Sequence, residues 1–325
     1  VSSRAALQAL LSETVPHEIV AAADRARQDR FGLDTTVSLV SRLDPAGAWE
    51  LCPVTGARDE FPSQLAEVPD RTTDLILLPR PGASLEDLAA LWELLPERPA
   101  GGGFQPTVQL GTADTFIAAT DAAGAADAAA LSSFAGLQVV SDGIFPSAHP
   151  VRGGASLERW NRFWRGAAAA GMRGHATVLY GPGHGLDSVL AQLDAIKAVQ
   201  SDTNVFLSVS PCIFAPERIA DGDHQLTHAS LDLRAWAACR LDETGVGHVS
   251  LRYDRSDLKS AHAAVRCGVD DLMGRVFLFD RDRKADSESS DLSVAEMQRW
   301  LGEVGMEMQV RNGVFDVVRP SEVLT

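Results

Sequence analysis

The sequence predicts an α/β fold: a parallel βα barrel, complete or partial. Three observations predict it. Short apolar, β-branched runs recur along the chain, separated by segments whose apolar residues repeat at three- and four-residue steps. Runs such as LILL and FLSV are apolar from end to end, the pattern of parallel strands buried on both faces. Finally, 325 residues suit one such barrel with additions, and no Pro/Ser-rich linker divides the chain.

In chain order, Ala5–Leu11 and His17–Phe31 read as two helices separated at Pro16, and residues 1–31 are expected to lie outside a barrel built from 32–325. Thr36–Val40 is the first strand, followed by a long Pro-, Gly- and charge-rich loop over 41–64. Asp74–Leu78 is the second strand, and Ser84 with Asp87 caps a helix from Leu85 to Leu95. The AGGGF run at 100–104 reads as a plain turn before a strand at Thr107–Leu110, since its glycines do not open a helix. Asp114–Phe134 is helical with a break near Gly124, and Leu137–Ser141 is the fourth strand.

Ser156–Gln200 is the most regular stretch. Leu157, Trp160, Phe163, Trp164 and Ala167 mark one buried helical face, with Ser156 suited to cap its start and Gly171 to end it. The strand HATVLY (175–180), a glycine-rich loop at 181–185 and a second helix carrying Leu186, Val189, Leu190, Leu193 and Ile196 complete the unit. Further strands fall at Asn204–Val209 and Gly247–Leu251, with a closing strand inside Val269–Phe279. Helices occupy Ser230–Glu243, Asp257–Cys267 and Ser293–Val304, the last opened by a Ser293/Glu296 capping box. The run DRDRKADSESSD at 280–291 has the composition of a mobile segment.

A net charge of −15 argues against a nucleic-acid partner, which calls for a basic footprint. With no long apolar span and no leader pattern, the expectation is a soluble, cytoplasmic protein without membrane attachment. The four cysteines, Cys52, Cys212, Cys239 and Cys267, are too far apart for a metal knuckle. His224 and His228 share helical spacing but have no third ligand near them, so no metal site is expected.

The segments SLERWNRFWRGAAAAGMRGHATVLYG (156–181) and GVDDLMGRV (268–276) carry a family resemblance. They resemble the radical SAM enzymes of the futalosine route to menaquinone, aminofutalosine synthase and cyclic dehypoxanthine futalosine synthase, and the related deazaflavin precursor synthase. The likeness extends weakly from about Leu7 to Val310. It implies a barrel whose loop after the first strand holds CxxxCxxC, three thiolates for a 4Fe–4S cluster that binds SAM. Here that loop holds only Cys52, and counting from Asp44-Pro45 places Trp49, Pro53 and Gly56 near the ligand positions. The SAM-binding glycines after the second strand are replaced by Leu78-Pro79-Arg80-Pro81-Gly82, and the glutamate segment after the fifth by Pro182-Gly183-His184-Gly185. Neither an iron–sulfur cluster nor SAM is therefore expected.

Function in such a barrel collects on loops at the strand C-termini. His184, set among glycines and near neutral in its ordinary pKa, is the candidate catalytic residue. Arg80, Arg252, Tyr253 and Asp270 are candidate substrate-binding residues, and of Asp270 and its neighbour Asp271 only one can face a pocket, since adjacent strand residues alternate. Two functions follow: a non-catalytic partner or regulator of an active paralogue, or a repurposed enzyme or binding protein for a small anionic metabolite.

Overall fold

A computed structural model describes residues 4–37, 40–43, 74–77, 79, 82–93, 107–124, 127–140, 156–181, 184–213, 228–252, 258–273, 276–277 and 292–318. The loop over 41–64 apart from 41–43, the glycine run at 100–104 and the charged run at 280–291 lie outside the described residues.

Two helices lead in, α1 (Arg4–Glu13) and α2 (Pro16–Phe31). Pro16 stands at the first helical position, where its missing N–H has no partner to lose. Strands and helices then alternate: β1 (Asp34–Val37), β2 (Val40–Leu43), β3 (Asp74–Leu77), α3 (Leu85–Glu93), β4 (Thr107–Thr112), α4 (Ala113–Ala123), the short α5 (Asp127–Ala130) and β5 (Gln138–Val140). The second half continues with α6 (Leu157–Ala169), β6 (Arg173–Tyr180), α7 (Leu186–Thr203), β7 (Phe206–Ile213), α8 (Ala229–Leu241), β8 (His248–Arg252), α9 (Leu258–Val265) and β9 (Asp271–Met273). A small pair, β10 (Val276–Phe277) with β11 (Leu292–Ser293), precedes α10 (Val294–Glu303), β12 (Glu307–Arg311) and β13 (Val317–Val318).

Every neighbouring pair from β2 through β9, and on to β1 and β12, is parallel. Among the described strands β13, folded back on β12, is the antiparallel one. The ladder runs β13-β12-β1-β9-β8-β7-β6-β5-β4-β3-β2, so β1 and β2 lie far apart in strand order. Yet the chain takes only three residue steps from Val37 to Val40, at most about 11 Å. The sheet therefore curls until its β2 end comes back beside β1. The expected first strand at 36–40 is in effect this split strand: its lower half pairs with β9 and β12, its upper half with β3.

Local chemistry explains the boundaries. Ser156 accepts from the Arg159 N–H at 3.2 Å to open α6, and Ser293 with Glu296 forms a full capping box on α10. Past α6, Met172 N–H reaches the Ala167 carbonyl and Gly171 N–H the Ala168 carbonyl, with Gly171 at φ 79°: a Schellman ending. The aromatic face of α6 closes on the sheet, where Trp160 and Trp164 pack against Phe206 of β7. Gly174 lies beneath this block because a Cβ there would come within 2.4 Å of the Trp164 ring. On the outer side Arg159, nearly buried, grips Asp127 with two nitrogens at 2.8 and 2.9 Å and Asp121 at 2.7 Å, tying α6 to α4 and α5. The lead-in helices pack on α8, with Arg234 donating to the Thr14 carbonyl at 3.1 Å.

Candidate functional site: the barrel interior and its mouth

Strand alternation sorts β6 into two faces. Gly174, Ala176, Val178 and Tyr180 face the helices and are sealed. His175, Thr177 and Leu179 face inward, and their exposure climbs from 1% at His175 through 8% at Thr177 to partial at Leu179. In β7 the same climb runs from Ser208 at 0% through Ser210 at 6% to the partly exposed Cys212. On these two strands the inward side chains are thus sealed from His175 and Ser208 up through Thr177 and Ser210, and become partly exposed only at Leu179 and Cys212 near the strand C-termini.

The floor is polar. His175 Nδ1 lies 2.9 Å from Ser208 Oγ and its Nε2 2.9 Å from Gln138 Oε1. Burial first, and the nearby Arg311 charge second, hold this imidazole down to a pKa of about 3, so it is neutral and carries one ring proton. Across the interior, Arg311 grips Asp271 through Nε at 2.7 Å and Nη2 at 2.8 Å, while Thr36 donates to the same carboxylate at 2.8 Å. Burial pushes the Asp271 carboxyl up, but the Arg311 charge and these hydrogen bonds outweigh it and hold it below the usual range. Phe315, at φ 68°, puts its ring between the Arg311 guanidinium (4.1 Å) and the His248 imidazole (3.8 Å, nearly parallel). The turn after β12 therefore enters the barrel from below and completes its floor.

The predicted site residues separate. His184 stands at the mouth, half-buried, just past β6; it exchanges backbone hydrogen bonds with Gly181, and its Nδ1 lies 3.5 Å from Ser188 Oγ on the first turn of α7. Arg252 ends β8 in register with Met273, which also places its backbone at the mouth; its side chain, with Arg80 and Tyr253, lies outside the described residues. Asp270 is at the other end of the barrel, just before β9 begins. Its buried carboxylate is held by Arg240, by His248 Nδ1 at 2.7 Å and by the Val249 N–H at 2.8 Å. Asp270 therefore does not join the mouth residues: it is an anchor between α8, β8 and β9. Its neighbour Asp271 is the one that turns inward.

Sequence reasoning missed the interior residues Gln138, His175, Ser208 and Arg311. One signal was available: His175/Thr177 and Ser208/Ser210 are polar pairs at two-residue spacing inside runs otherwise read as uniformly apolar. For Arg311 no local pattern pointed inward.

The described thiols are scattered. Cys212 ends β7, whereas Cys239 in α8 and Cys267 after α9 are sealed in the helical layer. Burial pushes both sealed thiols up, Cys267 to about 12, so neither favours a thiolate. Among the described residues no group of three or more His, Cys, Asp or Glu could hold a metal ion, and no helix is long and apolar enough to cross a membrane.

No family model matches the chain. It is 27% identical over 161 residues to the 5-amino-6-(D-ribitylamino)uracil–L-tyrosine 4-hydroxyphenyl transferase of Methanoculleus marisnigri, covering 48% of this chain and 44% of that enzyme. It is 29% identical over 128 residues to the aminodeoxyfutalosine synthase of Thermus thermophilus, covering 38% and 34%. The matches thus span less than half the length of these relatives. Among solved structures, methylornithine synthase superposes with a TM-score of 0.57 at 14% identity, covering 93% of this chain and 92% of that one. The FeFe-hydrogenase maturase HydG from Carboxydothermus hydrogenoformans gives 0.60 at 13%, covering 92% and 73%. The chain is a homologue of aminodeoxyfutalosine synthase and of the deazaflavin precursor synthase, with the fold of the radical SAM enzymes.

Proposed function

We propose that this protein is a cluster-less member of the radical-SAM-like group that acts as a non-catalytic partner or regulator of an active paralogue. The observation that carries the reading is the donor set. A cubane cluster needs three closely spaced thiolates, and the loop after the split first strand offers Cys52 alone. Cys212, Cys239 and Cys267 sit on other elements and cannot complete the set. The present residues therefore do not fit the cluster, and no step is routed through it or through SAM.

The barrel floor supports the same reading. Its ionisable groups are committed to one another, Asp271 to Arg311 and Asp270 to Arg240 and His248, and His175 is held neutral. Such pairs stabilise a scaffold and leave the floor without a poised acid or base.

The test is reconstitution with the aminofutalosine- or deazaflavin-type radical enzyme of the same host. A 1:1 complex that changes the turnover or lifetime of that enzyme is the expected result. Substrate turnover by this chain alone, with no effect on the paralogue, would overturn the reading.

A second reading, a repurposed enzyme or binding protein for a small anionic metabolite, is favoured by one observation: the same end of the sheet holds both His184, past β6, and the β8 end at Arg252, with β7 between them. Replacing His184 with glutamine would then abolish ligand affinity with little change in melting temperature.

A further inference from the structure

No further inference is drawn: the strongest candidate, the side-chain cluster of Phe31, His248 and Phe315 between α2, β8 and the turn after β12, belongs to the barrel floor already described, where its charged neighbours Arg240 and Arg311 are paired with Asp270 and Asp271.

Discussion

Gly174 and His175 are neighbours with opposite duties, one making room for the helical layer and one closing the interior. Gly174→Ala should destabilise the fold by about 1–3 kcal/mol, because its Cβ would fall 2.4–2.6 Å from the Trp164 ring inside a packed aromatic block. Gly185→Ala, where a Cβ meets nothing within 4 Å, should be nearly neutral. Urea denaturation of the two variants checks the contrast. His175 makes a pH prediction. Its folded pKa is depressed from 6.5 to about 3, so below pH 6.5 the unfolded chain takes up a proton that the folded protein refuses. Stability from this group is complete above pH 6.5 and is lost progressively as pH falls towards 3. From pH 6.5 to 5 the loss is about 2 kcal/mol. The depressed carboxyl of Asp271 adds its own loss only at lower pH, below its ordinary value of 3.8. Denaturation midpoints across pH 5–7 should therefore slope in the wild type and flatten in His175→Gln.

At the scale of elements, the upper part of the strand that carries His175 is tied to a helix. Among the described residues β5 pairs with β6 as far as Val140 and His175, and β6 runs on to Tyr180. Gln192 of α7 holds this part, accepting from Leu179 N–H at 2.9 Å and donating to its carbonyl at 2.7 Å. Gln192→Leu should cost roughly 2–4 kcal/mol by stranding both backbone groups, measured by thermal or chemical melting. Local rules made most elements legible. The caps at Ser84, Ser156 and Ser293, the glycine ending of α6 and the apolar strand runs all stand where sequence chemistry placed them. The Gly124 break is also real, closing α4 in a left-handed turn. The split of the first strand was not legible, since Val37 and Val40 read as one run and only their different partners divide them. The floor was hidden for another reason: Arg311 meets Asp271 across 40 residues, and Phe315 reaches His248 from beyond β12. A lone arginine near the end of a chain gives no sign that it will be buried. Asp270 and Asp271 were recognised as a pair, but strand alternation could not tell which end of the barrel each would serve.

For the whole molecule, the curled parallel sheet with its helical coat has the fold of the radical SAM enzymes, and the sequence contains no CxxxCxxC. A scaffold can outlive one chemistry because the residues that hold it together differ from those that perform it: Trp160, Trp164, Gly174 and Phe206 belong to packing, and the cluster ligands to one loop. The account's central claim is that this barrel binds no cluster. The most direct measurement is anaerobic reconstitution of the full chain with ferrous iron and sulfide, followed by desalting, iron analysis and visible absorption. The account predicts a colourless protein with no retained iron. Stoichiometric iron with thiolate-to-iron charge-transfer bands would contradict it.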